Sequence, residues 1–485
     1  MSKKSERAEI ERRRAIIGHS QIFTPEVIND IHTKAELGRY RIRGFSMFKP
    51  MPHWDQLMFL PGTLTRFVIE GYREKCTTKT VLGARFAKKP IELDIPIYIT
   101  GMSFGALSLE AKMALAKGAS MAGTATCSGE GGMIPPERDL STKWYYQLIQ
   151  SRYGFNPHHL MCADAVEFFI GQGCKVGLGG HLMGQKVTEQ VAEMRSLPAG
   201  IDQRSPARHP DWLGPDDLSL KIQEIREATD YQIPIQLKIG ASRVYDDVRM
   251  AAKCGPDIIY LDGAEGGTGA GPHIATEETG IPLMAAIPEA RRALEDVGLA
   301  DEIDLVVAGG IRNGGDVAKA IALGAKAIAI GHSALMALNC NKEIPGVTDY
   351  EGTVGVPAGS CYHCHTGRCP VGITTQDPEL RKRLVVDEAA ERVYNFLHTL
   401  TLEVQMLARA CGKTSVHSLE PEVLAALTVE ASAMAKVPLA GTNYIPGVTE
   451  ERALNEIKTL LERHLVNPVD YLPDSMSQMS TQQGD

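Results

Sequence analysis

Short apolar runs that end near glycine recur through the middle of the chain. They cover residues 95–100 before Gly101, 122–127 before Gly129, 160–163, 174–176 before Gly177, 234–239 before Gly240, 257–261 before Gly263, 305–308 before Gly309 and 327–330 before Gly331. Apolar runs with little polar alternation predict strands of a parallel sheet covered on both faces. Helical spacing fills the intervals at 108–119, 164–171, 218–229, 246–253, 287–296 and 316–323. About eight such units over roughly 250 residues predict a (β/α)8 barrel. An open doubly wound sheet is the alternative. Glycine clusters after many different strands, rather than at one switch point, favour the barrel.

The expected fold class is therefore α/β, a (β/α)8 TIM barrel with additions at both ends. Residues 1–90 read as an N-terminal extension that opens with a charged helix at 5–17. Residues 91–338 form the barrel, 339–385 a cysteine-bearing segment, and 386–485 a helical C-terminal region packed on the barrel, with a disordered end. Helical patterns run over 379–410 and 421–435. The chain is 44% hydrophobic and 23% charged, the balance of a globular protein. Its 51 basic and 59 acidic residues give a net charge of −8, which argues against a nucleic-acid-binding face. Ten cysteines in 485 residues are too dilute for a secreted disulfide scaffold. The charged start MSKKSERAEIERRR has no apolar signal region, and no run approaches a membrane span. A cytoplasmic protein without a membrane partner is expected.

Candidate chemistry lies where the runs end. Gly309-Gly310-Ile311-Arg312-Asn313-Gly314-Gly315 and Gly331-His332-Ser333 follow the last two runs. Loops at those places in a barrel bind phosphate through backbone amides and helix N termini. Met102 and Ser103, in the turn after the first run, put amides and a hydroxyl at the mouth, suited to the edge of a heterocycle. Glu130 stands between glycines and is a candidate proton handler or amine-binding group, with a solvated loop carboxylate as the plain alternative. The loop 177–186 carries His181 and Lys186, which suit a dicarboxylate substrate. Lys238 ends an otherwise apolar run, and a buried ammonium needs an electron-rich partner such as a flavin's pyrimidine edge. The loop 262–272 is too glycine-rich for an ordinary turn and reads as a cover or passage over the site. Cys361, Cys364 and Cys369 form C-x2-C-x4-C followed by proline, the pattern of an iron–sulfur cluster. Zinc, with His363 or His365 as fourth ligand, competes; Cys340 is a further candidate.

The ordered set GMSFGALS, SGEGG, KVGLGGHLMGQKVT, EGGTGAGP, GGIRNGGDVAKAIALGA and CHTGRCPVGITTQDPELR resembles the FMN-binding, iron–sulfur synthase domain of the glutamate synthase family over residues 75–385. That resemblance implies a barrel with FMN at its C-terminal mouth. The FMN phosphate would rest on Gly309, Gly310 and Gly331. Met102 and Ser103 would line the ring system, and Cys127 stands where the family usually has asparagine. Lys238 would hold the pyrimidine edge as a catalytic and cofactor-binding group. Glutamate or 2-oxoglutarate would lie near Glu130, His181 and Lys186, with Glu130 also catalytic. Cys361, Cys364 and Cys369 would hold a [3Fe–4S] or [4Fe–4S] cluster. The family's usual spacing is C-x5-C-x4-C, so Cys361 substitutes as first ligand and the cluster type stays open. The family's GEGGQLPG-like loop is replaced by GLGGHLMG, which lacks the acid and the glutamine.

The chain shows neither an N-terminal cysteine amidotransferase region nor a C-terminal glycine-repeat β-helix, so amine is expected from elsewhere. It looks like the FMN subunit of a split enzyme with amidotransferase-like and β-helix-like subunits, a hetero-oligomer served by ferredoxin or an NADPH-dependent reductase. Two split enzymes fit: N-methylglutamate synthase, which joins methylamine to glutamate, and a stand-alone or archaeal-type glutamate synthase, which uses ammonia and 2-oxoglutarate. The loop 177–188 and Arg208-His209-Pro210-Asp211-Trp212 look more like the first. Both exchange hydride between FMN and C2 of a five-carbon dicarboxylate. An inosinate-dehydrogenase-like barrel shares the late glycine loops but needs a cysteine after its sixth strand, and 263–309 contains none. A cluster-bearing scaffold would bind no flavin.

Overall fold

The computed structural model describes residues 20–464 apart from Tyr72. The charged helix expected at 5–17 and the C-terminal end expected to be disordered lie outside the described residues. Among the described residues, eight strands form one sheet: β1 (Ile97–Ile99), β2 (Thr126–Cys127), β3 (Trp144–Leu148), β4 (Ala165–Phe169), β5 (Ile235–Gly240), β6 (Ile258–Asp262), β7 (Asp304–Ala308) and β8 (Ala327–Ile330). The pairs run parallel in sequential order, with β8 beside β1. The N–H of Ile99 donates to the carbonyl of Ala125 at 3.0 Å, drawing β1 against the start of β2 and closing the ring. This is the (β/α)8 barrel.

Side chains alternate across the strands, as the two-residue period requires. Tyr98, Cys127, Tyr145, Tyr260, Val306 and Ala329 cluster together inside. Tyr98 of β1 stacks on Tyr145 of β3 at 5.3 Å and meets Tyr260 of β6 edge-on at 6.5 Å, contacts that cross the interior. Ile97, Trp144, Phe168, Leu237, Leu261 and Val307 face the helices instead. Leu82, Ile91 and Leu93 of the hairpin Thr80–Leu82/Ile91–Leu93 join the inner cluster. Gly83 N–H, at its turn, donates to Asp304 at the start of β7, so the hairpin plugs the N-terminal end.

One helix follows each strand round the ring: α1 (Leu109–Met121), α2 (Pro135–Leu140), α3 (Pro157–Met161), α4 (Pro215–Ala228), α5 (Val244–Lys253), α6 (Leu283–Asp296), α7 (Gly314–Ala322) and α8 (Val386–Ala410). The last packs against both α1 and α7. Its buried Val393, Leu397, Leu400 and Val404 recur every three or four residues and form one apolar stripe. Gly118 of α1 permits the close approach: a Cβ there would lie 2.7 Å from the Ala390 carbonyl oxygen. The region expected as an appended helical tail thus supplies the eighth helix of the ring, after a long cysteine-bearing insertion.

Several expected elements differ. Residues 160 and 161 end α3, opened by Pro157 after the Asn156 cap, and Cys162 caps it. The helix expected over 164–171 is strand β4, and 174–176 belongs to a 3-10 turn, Gly173–Lys175. Strand β3 carried no glycine signal. The helical stretch at 379–410 breaks into Pro378–Arg381 and α8; that at 421–435 becomes the turn Pro421–Val423, strand Leu424–Ala426 and helix Val429–Ala435. The strand pairs with Leu57–Phe59, joining the two chain extensions. No helix among the described residues is long and apolar enough to cross a membrane.

Candidate active site

A cavity of about 820 Å³ opens at the C-terminal ends of the strands. Its size is that of a cofactor site. Its floor is polar. The ammonium of Lys238, at the end of β5, donates to Thr100 Oγ1 at 3.2 Å and lies 4.4 Å from the centre of the Tyr260 ring. Beneath it, Glu167 of β4 accepts from Gln147 Nε2 and from Gln236 Nε2, each at 2.6 Å. Lys238, Glu167 and Asp262 are 4, 1 and 6% exposed. Burial alone would lower the lysine's pKa; Tyr260, Glu167 and Asp262 outweigh it and hold the pKa above the ordinary lysine range. Lys238 is therefore a fixed cation aimed at the cavity.

Two loops after β1 and β2 make one wall. Met102, Ser103 and Glu130 line it. Gly129 sits at φ +70, and a Cβ there would lie 2.4 Å from Ser103 N, so the loops touch backbone to backbone. Lys112, buried on α1, ties them together through the carbonyls of Met102, Cys127 and Ser128 at 2.6, 3.2 and 3.0 Å, with Glu137 as its counter-ion at 2.7 Å. Glu130 Oε1 accepts from Ser205 Oγ at 2.9 Å. Gly180 packs so tightly on that carboxylate that a Cβ would collide with it. Arg195 is buried, with its guanidinium donating to the carbonyls of Phe104 and Glu130 at 3.0 and 3.2 Å.

The opposite rim is backbone. Gly309, Gly310 and Gly331 line the cavity. Gly309 and Gly310 hold φ values of +121° and +66°, where a side chain would be strained. A helix, His332–Ala337, starts beside them. The mouth is partly covered by the strand Ile42–Phe45, paired antiparallel with Thr268–Pro272 in the loop after β6. Phe45 and Ser46 reach the lining, and Arg43 anchors the strand through Glu277 and His273. The glycine-rich loop is thereby a fixed cover.

The sequence-expected residues therefore separate into groups. Met102, Ser103, Glu130, His181, Lys238, Gly309, Gly310 and Gly331 all line one cavity. Cys127 lies below it, 3.9 Å from Glu167 Oε1. His181 bonds Asp202 at 3.1 Å, and burial lowers its pKa, so it enters neutral. Lys186 does not reach the cavity. Its ammonium turns inward onto the carbonyls of Ala106 and Cys364 at 2.7 and 3.0 Å, and burial pushes its pKa down to about 8. Sequence reasoning missed Lys112, Lys175, Glu167 and Asp262. Lys175 lines the cavity with its Nζ on the Ala270 carbonyl at 3.0 Å. A cation need not be alone in a barrel, so the signal for Glu167 was Lys238 itself.

FMN fits this arrangement by chemistry: Lys238 and Thr100 at the floor suit a heterocycle edge, and three glycine positions without Cβ at the rim suit a phosphate. The cysteine segment lies alongside. Cys340, Cys361, Cys364 and Cys369 line a second, small cavity, and His332, Leu335, Cys364 and Thr374 form a wall common to both. Among the described residues, no three His, Cys, Asp or Glu side chains converge closely enough for a single metal ion.

The conserved region of glutamate synthase matches residues 66–414. A glutamate synthase large subunit-like protein of Rhizobium meliloti is 52% identical over 88% of this chain and 96% of its own length. The archaeal-type glutamate synthase [NADPH] of Dehalococcoides mccartyi is 36% identical over 82% of this chain and 79% of its own. The archaeal glutamate synthase [NADPH] of Archaeoglobus fulgidus is 34% identical over 82% and 78%. A flavocytochrome b2 structure shares 17% identity over 76% of each chain at a TM-score of 0.47, too remote to carry an argument. The chain belongs to the glutamate synthase family.

Proposed function

We propose that the mouth cavity holds FMN and that the chain reduces the imine formed from 2-oxoglutarate and ammonia to glutamate. One observation carries this reading: a buried, fixed cation and a carboxylate held by a serine face the same cavity, opposite a rim of bare glycine backbone. Lys238 would hold the ring system's electron-rich edge, Gly309, Gly310 and Gly331 the phosphate, and Met102 and Ser103 the ring's flank. When bound, FMN supplies a hydride to C2 of the imine. Glu130, fixed by Ser205 and Gly180, would deliver the accompanying proton to the imine nitrogen. His181 and Lys175, which line the same cavity, would hold the substrate carboxylates. The two electrons consumed per turnover would arrive from an outside reductase or ferredoxin through the cysteine-bound cluster, whose cavity shares a wall with the first. Amine could come from a separate amidotransferase-like subunit or from free ammonia, with a β-helix-like subunit completing a hetero-oligomer.

The reading in which methylamine displaces ammonia from glutamate rests on the loop 177–188 and on residues 208–212, and none of the latter lines the cavity. That loop contributes only Gly180 and His181 to the lining among its polar-site candidates, and Lys186 faces away. The relatives' names, glutamate synthase large subunit-like protein and archaeal-type glutamate synthase [NADPH], support glutamate as the product. An anaerobic assay decides: 2-oxoglutarate plus ammonia with a reduced donor, against glutamate plus methylamine without reductant. Glutamate formation in the first is expected. Turnover confined to the second would replace this proposal, and a chain that binds no flavin would end both.

A further inference from the structure

We infer that Ser205 and Tyr153 form a proton relay that recharges Glu130 from a second cavity behind the active-site wall. The inference deepens the proposed reduction and rests on the reading that Glu130 protonates the imine nitrogen. Each imine reduced takes a hydride on carbon and a proton on nitrogen. Glu130 leaves that step as a carboxylate, and its proton must be replaced before the next.

While flavin and substrate occupy the mouth cavity, water has little access to Glu130 from the front, and Gly180 packs against the carboxylate. The remaining path runs backwards. Ser205 Oγ donates to Glu130 Oε1 at 2.9 Å, and the Tyr153 hydroxyl lies 3.0 Å from Ser205 Oγ. Ser205 has one hydroxyl hydrogen and gives it to Glu130, so Tyr153 is the donor in the second bond. Both hydrogens thus point towards the carboxylate. One passage moves the Ser205 proton to Glu130 and the Tyr153 proton to Ser205, and water returns a proton to the phenolic oxygen. One proton is taken up from water, and no electrons move.

The fold builds this path from several elements. Ser205 follows the strand Gln203–Arg204, which pairs with His181–Leu182, and its N–H donates to the Gly180 carbonyl at 2.9 Å. Arg195 holds both ends, with Nη2 on the Glu130 carbonyl at 3.2 Å and Nη1 on the Tyr153 hydroxyl at 3.4 Å. Tyr153 lines a cavity of about 100 Å³, and Gln147 is common to it and the mouth cavity. That volume admits a few waters. His209, Asp211 and Trp212, from a stretch with no place in the mouth cavity, line this one. The exposed Arg152 carries it to the surface, paired with Asp211 at 2.9 Å. His209 is no proton source: its Nε2 sits on the Phe169 carbonyl at 2.9 Å, and burial pushes its pKa down to about 4. Burial and the Glu130 charge raise the pKa of Tyr153, so the phenol is neutral between transfers.

The test uses the full chain with FMN, kept free of oxygen and supplied with a reduced donor, 2-oxoglutarate and ammonia. Tyr153→Phe keeps the ring and the bond between Ser205 and Glu130. Its kcat should fall about tenfold with the KM for 2-oxoglutarate unchanged, and deuterated water should slow it more than it slows the wild type. Ser205→Ala should lose more, because Ser151, 3.4 Å from Ser205, offers a longer bypass only while Ser205 is present. Unchanged kcat in the two variants, or a lower kcat with the wild-type isotope effect, overturns the relay. A second arm needs no turnover. In flavin-free protein with ring-labelled tyrosine, the Tyr153 carbon resonance is assigned by its loss in Tyr153→Phe. It should shift in Glu130→Gln, two hydrogen bonds away, because bonds in a chain polarise one another. An unmoved resonance overturns the connection. A wild-type chain that forms no glutamate overturns the proposed reduction, and the resonance still decides whether the chain of hydroxyls exists.

Discussion

Replacing Lys238 by methionine keeps most of the side chain's volume and removes its charge. In the proposed holoenzyme the ammonium makes one charged hydrogen bond to the flavin ring, worth about 1.5–3 kcal/mol. At 1.4 kcal/mol per tenfold, FMN should bind about 10- to 150-fold more weakly. Riboflavin should lose the same factor, because the lost contact is to the ring and not to the phosphate. The fold should survive. Glu167 keeps both amide donors at 2.6 Å, so its charge remains solvated by protein when the lysine is gone. A stability loss of about 1–3 kcal/mol follows from the lost pairing, below the 3–5 kcal/mol of a fully stranded buried charge. The pH profile adds a second check. Because the folded pKa of Lys238 is raised, its contribution is complete below the unfolded value and is lost only as pH rises through the folded one. Flavin affinity attributable to Lys238 should therefore be flat from acid to mildly alkaline pH. The assay is fluorescence quenching of FMN and of riboflavin by flavin-free protein, with thermal unfolding run alongside. Wild-type affinity for both ligands in a folded Lys238→Met protein would refute the placement of the ring over Lys238.

Four further outcomes are expected. Gly309→Val forces a side chain into φ +121° and within 3.1 Å of Gly263 N; it should weaken FMN by at least tenfold while riboflavin affinity changes little, measured by the same quenching titration. Glu130→Gln should keep flavin bound but lower kcat by about 10²-fold or more, read in the anaerobic glutamate-forming assay. Lys186→Met should leave the KM for 2-oxoglutarate unchanged and lower the iron content, since its ammonium bonds the Cys364 carbonyl rather than the cavity. Glu265, whose pKa burial raises to about 7, is protonated in the folded state at pH values where the unfolded chain has lost the proton. Stability should fall as pH rises from about 4.5 towards 7 and level off above, by about 3 kcal/mol, and Glu265→Gln should flatten that slope in thermal melts.

The barrel was legible where strands are apolar and stop at glycine, as β5 to β8 do. It was not legible at β3 and β4. The sequence of β4, Ala165–Phe169, is buried on every residue. A five-residue strand covered on both sides has no period to read, and Ala165, Phe168 and Phe169 fall at i, i+3 and i+4, which mimics a helix face. Glu167 in its middle adds to the mimicry, because an isolated carboxylate in a parallel strand is costly. The same residue explains why the site was only half read. The register sets Gln236 of β5 against Glu167 of β4 and Lys238 against Phe169, one sheet step apart. Misreading β4 as a helix removed the lysine's counter-charge from view, so the need for a partner was assigned wholly to a cofactor. Lys238 has both: protein carboxylates hold its charge from below, and its upper face is free for a ligand. Lys186 erred in the opposite direction. A cation in a glycine-rich loop looks like a substrate ligand, yet nothing local tells whether its ammonium points to the mouth or to a carbonyl brought in from residue 364. Positions set by backbone conformation, such as Gly309 and Gly310 at the cavity rim, could be read from sequence because glycine itself records the conformation. Residues whose role depends on which strand lies beside them could not, because strand order is a property of the closed ring and not of any segment in it.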